Sequence, residues 1–138
     1  MSDRVFLDAN VLVSAAWTSE NGLLSLWALS DVTLLTSAYA IAESDRNVRT
    51  PEQRTRLFRL LQAFEIVDEP RGHALPFGIE LPSKDVPILL AAIEANATCL
   101  LTGDRQHFGS YFGRSFSGVQ ILRPSDYLGR AHTQGQNG

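Results

Sequence analysis

Val5-Phe6-Leu7-Asp8-Ala9-Asn10-Val11-Leu12-Val13-Ser14 is the stretch whose reading decides the fold. It begins as a short apolar run with charge on its flank, which is how a strand buried in a parallel sheet reads. Asp8 interrupts the run, and Asn10 follows two residues on. A carboxylate without a partner inside such a sheet is costly. The favourable place for Asp8 is the C-terminal mouth of the strand, where open α/β sheets hold their ligands. An Asp that only opens a turn, with Asn10 capping it, explains this stretch taken alone equally well. Acidic residues at comparable points later in the chain decide between the two.

The chain has 138 residues, the size of one domain with a single ordinary core. Hydrophobic residues make up 44% and charged residues 20%, a globular balance that excludes a disordered chain. A net charge of −3 argues against adhesion to nucleic acid over the whole surface, though not against a local basic patch. Arg46, Arg49, Arg54, Arg56 and Arg59 form such a group, while the acids are spread out. Cys99 is the only cysteine, so an internal disulfide is excluded and a reducing compartment fits. The N-terminus lacks a signal-peptide pattern, because Asp8 breaks the apolar run too early. The apolar block from Val86 to Ile93 contains Pro87 and falls far short of the roughly 20 residues that span a bilayer. A cytoplasmic protein with no membrane partner is expected.

After the first strand, residues 17–22 read as a loop, and Leu23, Leu24, Leu26, Trp27 and Leu29 recur at helical spacing. Val32–Thr36 is β-branched and apolar, a second strand, and Ser37 can cap the helix that follows. Pro51 fits the first turn of a further helix with an apolar stripe of Leu57, Leu60, Leu61 and Phe64. Residues 64–67 form a short third strand, and the Pro- and Gly-rich 69–82 a loop within one domain. Ser83 to Pro87 opens a strong helix, with Asp85 at or near its cap. Thr98–Thr102 and Val119–Leu122 are the last two strands, the second closed by Pro124 and a helical turn over Ser125–Leu128. The domain is expected over 1–130 and a disordered tail over 131–138. Strands alternating with helices through short links make a parallel sheet covered on both faces.

On this reading Asp8 and Asp104 both follow apolar strands and emerge at one edge of the sheet. Asp85 opens a helix, and Glu43 lies early in the helix after the second strand. Singly, each has a plain explanation: cap, dipole partner or turn residue. Together, four carboxylates in one pocket repel one another, and some would protonate at neutral pH. A divalent cation removes that conflict. All-oxygen ligation without His or Cys favours Mg²⁺ or Mn²⁺ and not Zn²⁺. Such ions seek phosphate oxygens, which points to phosphodiester hydrolysis.

The same residues carry a family resemblance. Asp8-Ala9-Asn10-Val11-Leu12-Val13-Ser14, Glu43 within a helix, Lys84 to Ala92, and Leu100-Leu101-Thr102-Gly103-Asp104 with His107-Phe108 together resemble a PIN-domain ribonuclease. The similar branch is the VapC-like toxin component of toxin–antitoxin pairs, and the likeness runs from about Val5 to Leu128. It implies a Rossmann-like three-layer sandwich with strand order 3-2-1-4-5, metal-dependent cleavage of RNA, an antitoxin partner and a homodimer. It places catalysis and Mg²⁺ or Mn²⁺ binding on Asp8, Glu43, Asp85 and Asp104, with Asn10 and Thr102 as hydrogen-bonding supports. Ala9 departs from the pattern, since many relatives carry a hydroxyl residue there, at the cost of at most one supporting contact.

Lys84, Arg105 and His107 are possible substrate contacts, although a His in such a loop more often caps or packs. The arginine group could track an RNA backbone or face an acidic antitoxin segment; a solvated helix face paired with Asp45 and Glu52 explains it as well. Trp17, Trp27 and Tyr39 read as core or dimer contacts, and Cys99 as inert packing. Two other function classes compete. One is a catalytically silent PIN-fold binding protein. The other is a phospho-accepting, receiver-like signalling module, which wants adjacent acids after the first strand and a late lysine that this chain lacks. A DNA-directed nuclease of the same superfamily is a further alternative.

Overall fold

A computed structural model describes residues 2–137, with side chains described as far as Arg130. One six-stranded sheet runs through the molecule in the order β3-β2-β1-β4-β6-β5. β1 is Asp3–Leu7, β2 Val32–Ser37, β3 Glu65–Val67, β4 Cys99–Leu101, β5 Ser115–Phe116 and β6 Val119–Leu122. Every neighbouring pair is parallel except β5 with β6. The five strands read from the sequence keep the order 3-2-1-4-5, with β6 as the fifth. The extra edge strand β5 is a finding of the structure. It joins β6 through Ser117 and Gly118, both at positive φ (50° and 85°), a turn that suits the twist of a two-residue hairpin.

Alternation along the strands builds two cores. Val5, Leu7, Leu34, Cys99, Leu101 and Leu122 face one side, and Phe6, Leu35, Leu100 and Ile121 face the other. The first face is covered by α1 (Ala9–Ala16), through Val11 and Leu12, and by α3 (Pro51–Leu61), through Leu57. The second is covered by Ile88, Leu89, Ala91 and Ala92 of α4 (Val86–Glu94) and by Phe108 of the single-turn α5 (Arg105–Phe108). Ile79, from the Pro- and Gly-rich loop, is buried there too.

The helix starts follow the sequence closely. Ser37 caps α2 (Ala38–Asn47) by accepting from the Ala40 N–H. Thr50 and Gln53 form a reciprocal capping box ahead of Pro51 in α3. Residues 22–28, expected at helical spacing, form a tighter 3₁₀ segment in which Leu26 alone is fully buried. Trp27 is half-buried, with its ring against Phe64 and Nε1 donating to the Leu60 carbonyl. The turn expected at Ser125–Leu128 is the start of α6 (Pro124–Asn137). The disordered tail expected over 131–138 lies outside the residues whose side chains are described. Among the described residues no helix is long and apolar enough to cross a membrane.

Two features of this layout place the site. The chain runs outward from β1 through β2 to β3, then returns to lay β4 on the other side of β1. The strand order therefore reverses at the β1–β4 seam, and the crevice beyond the C-terminal ends of those two strands is where open α/β sheets bind ligands.

Candidate metal centre

Asp8 is the first residue past β1 and caps α1, its Oδ1 accepting from the Ala9 N–H at 2.7 Å. Its Oδ2 accepts from Thr102 Oγ1 at 2.9 Å and from Asn10 Nδ2 at 3.0 Å. Asn10 Oδ1 takes the Gly103 N–H at 2.8 Å, which fixes the amide with its nitrogen toward Asp8. Thr102 Oγ1 also accepts from Asn10 Nδ2 (3.1 Å) and the Asp104 N–H (3.2 Å). With two donors already on that oxygen, the hydroxyl proton goes to Asp8. Thr102 is fully buried and Asp8 is 3% exposed, so the bond between them is shielded from water.

Asp104 caps α5. Its Oδ1 accepts the His107 N–H at 3.1 Å, and its Oδ2 lies 2.7 Å from His107 Nδ1. Asp85 occupies the cap position of α4 yet makes no capping bond with its side chain. It is 7% exposed. His107 Nδ1 also stands 3.2 Å from Asp85 Oδ2, but that nitrogen carries at most one proton and the shorter contact to Asp104 takes it. Asp85 Oδ2 is therefore buried without a hydrogen bond among the described residues. Glu43 is half-buried in the second turn of α2.

All four carboxylates line one cleft of about 490 Å³, together with Asn10, Lys84 and Gly103. Burial pushes Asp8 up to about 6, against the downward pull of the Thr102 and Ala9 hydrogen bonds; the charges of Asp85 and Glu43 add to the rise. Burial also raises Asp85, opposed by Lys84 and His107 and reinforced by Asp104 and Glu43. Asp104 goes the other way. Burial lifts it, but hydrogen bonds from the His107 backbone and ring, with the His107 charge and the Gln106 backbone, outweigh burial and hold it below its usual range. Even Tyr39, whose hydroxyl donates to the Lys84 carbonyl at 2.8 Å, is raised by burial and then by Glu43 and Asp85.

The other candidates separate. Lys84 is exposed on the rim of the cleft. Arg105 is exposed and, like His107, lies outside the lining of the cleft. His107 is half-buried between two of the carboxylates, so the donors at hand are not all oxygen, as the residue types had suggested. The spacing Asp104-x-x-His107, the reach of a capping interaction across one turn, is the local signal for this. Asn47 and Ser14 also line the cleft and were not singled out from the sequence. Each sits four residues from a cleft residue on its own helix, Glu43 and Asn10, so helical spacing could have found them.

Of the arginine group, Arg54 pairs with Asp45 at 2.8 Å, and Arg56 donates to the Ala16 and Trp17 carbonyls. Trp17 is 44% exposed, and Cys99 is buried with its thiol pushed up to about 12 by burial.

A family profile described as PIN domain matches residues 4–106. Solved structures share the fold at low identity. VapBC2 from Rickettsia felis, bound to a DNA fragment from its promoter, superposes with TM-score 0.61 at 19% identity, covering 87% of this chain and 98% of that one. VapBC-1 from nontypeable Haemophilus influenzae gives 0.60 at 17%, over 88% and 98%. The PIN domain of T. brucei RRP44 gives 0.63 at 13%, over 99% and 83%. No curated protein matches the sequence significantly.

Proposed function

The chain belongs to the PIN-domain family, and from that premise we propose that it is a metal-dependent endoribonuclease, the toxin of a toxin–antitoxin pair. The observation that carries the proposal is Asp85 Oδ2, a buried carboxylate oxygen without a hydrogen bond, in a cleft with three other acids. A cap residue that does not cap and a desolvated carboxylate oxygen without a hydrogen bond among the described residues both cost stability. A divalent cation accounts for both: Asp85 and Asp104 bring donor atoms within 4.8 Å of each other, and Asp8 and Glu43 line the same cleft as the further acids that would hold it.

When bound, Mg²⁺ or Mn²⁺ supplies an activated water and offsets charge on the phosphate oxygens. The rest is the work of the chain. Asn10 and Thr102 hold the Asp8 carboxylate in one orientation, and the His107 backbone N–H does the same for Asp104 through its Oδ1. Lys84 on the rim is a point charge suited to a phosphate entering the cleft. The exposed Arg46 and Arg49, on either side of Asn47 in the chain, offer positive charge to an RNA backbone.

Partners are proposed on the same footing. RNA is the substrate and an antitoxin the regulator, in keeping with the paired VapBC proteins that share the fold. A homodimer in the cytoplasm is the proposed working form.

The test is to incubate purified protein with RNA and Mg²⁺ or Mn²⁺, with and without EDTA, alongside Asp8→Asn and Asp104→Asn. Cleavage that needs the ion and both carboxylates supports the proposal. Equal cleavage by the variants would mean a contaminating nuclease. A parallel DNA substrate separates RNA-directed from DNA-directed activity.

A further inference from the structure

We infer that His107 contributes a nitrogen ligand to the cation, and that the site consequently favours Mn²⁺ over Mg²⁺; the inference rests on the nuclease reading and deepens it. One donor atom each from Asp85, Asp104 and His107 lie within 4.8 Å of one another. His107 Nδ1 stands 2.7 Å from Asp104 Oδ2 and 3.2 Å from Asp85 Oδ2. Neighbouring ligands of an octahedral ion with bonds of about 2.1 Å lie about 3 Å apart. The two separations are thus already those of ligand pairs on one ion.

A proton on Nδ1 can serve only one of the two carboxylates, and the unpartnered Asp85 Oδ2 marks the one it fails. A dication at the meeting point is shared by all three donors at once. The ring is held for this. The His107 backbone N–H is tied to Asp104 Oδ1, and the adjacent Phe108 is fully buried, so the single turn of α5 cannot swing away freely. Carboxylates suit Mg²⁺ and Mn²⁺ alike, whereas an imidazole shifts preference toward transition metals, because Mg²⁺ prefers oxygen and gives up its waters reluctantly.

The alternative is that His107 only positions Asp104 through its hydrogen bond. Pulsed electron paramagnetic resonance on the Mn²⁺-loaded full-length protein separates the two, with no reliance on activity. We expect ¹⁴N modulation from a coordinated imidazole in the wild type and its loss in His107→Ala. In direct titrations, His107→Ala should weaken Mn²⁺ binding by about tenfold or more and Mg²⁺ binding by less than about threefold. His107→Gln, matched for folding by circular dichroism, serves if the alanine variant is unstable. Bound Mn²⁺ without nitrogen modulation in the wild type, or equal losses for both ions, would overturn the inference and leave the nuclease reading standing. Failure of the wild type to bind either ion, or binding indifferent to Asp104→Asn, would overturn both.

Discussion

Thr102 Oγ1 donates to Asp8 Oδ2 at 2.9 Å across the seam between β4 and β1, so a residue just past one strand favours the ionised form of a residue just past another, against the larger upward push of burial. Thr102→Val keeps the volume and removes the hydroxyl. It takes an acceptor from Asn10 and from the Asp104 N–H as well as a donor from Asp8. Loss of about 1–3 kcal/mol of stability is expected. The lost bond normally pulls Asp8 down, so its ionisation should move to higher pH, and the pH midpoint for Mn²⁺ binding should rise with it. Thr102→Ser should restore both. Unchanged denaturant and pH midpoints in the valine variant would refute this account.

The metal-free protein should lose stability as pH rises through weak acid. Asp8 moves from its ordinary 3.8 to about 6 on folding, chiefly by burial, so the folded state holds that proton more tightly than the unfolded chain. Stability therefore falls between about pH 4 and pH 6, by up to about 3 kcal/mol, and levels off above. Asp85, also raised, acts in the same direction. Asp104 is lowered, so its contribution has the opposite sign and is lost only at more acidic pH. Urea midpoints in EDTA from pH 4.5 to 7.5 measure the slope, which Asp8→Asn should flatten. At pH 7.5, Mn²⁺ at a hundred times its Kd should return about 2.7 kcal/mol.

Asp85→Asn should separate stability from activity. The carboxylate is buried, raised and without a hydrogen bond, so its removal relieves a desolvated charge. At neutral pH without metal the variant should be more stable than the wild type by about 1 kcal/mol, while RNA cleavage falls by about a hundredfold or more. A variant both less stable and fully active would contradict the role given to Asp85.

Arg56 is tied to the backbone of another helix, whereas Arg46 and Arg49 are exposed. Its guanidinium donates to the Ala16 and Trp17 carbonyls, each at 2.9 Å, closing the end of α1 against α3. Arg56→Ala should cost about 1–3 kcal/mol in denaturant unfolding. Arg46→Ala and Arg49→Ala, at exposed positions, should stay within about 0.5 kcal/mol. Equal effects at all three would mean that the two carbonyl bonds contribute nothing.

The unbroken apolar run of Val5, Phe6 and Leu7 before Asp8, repeated in Leu34–Leu35 and Cys99–Leu101, was enough to specify a covered parallel sheet, because each residue's preference is expressed within a few neighbours. Ser37 and Pro51 marked helix starts for the same local reason, whereas the Thr50 capping box came only from the structure. The two-residue β5 is too short to carry a period, and it exists because the Ser117-Gly118 turn folds it back on β6. The presence of His107 three residues after Asp104 was legible too, but its 3.2 Å approach to Asp85 was not. That contact depends on where α4 and α5 come to rest on the shared face of the sheet, and no spacing along the chain encodes it. Burial is what makes the difference chemical: the same acids on an open surface would be ordinary, and only packing strips the water from Asp8 and Asp85 and leaves one oxygen without a hydrogen bond.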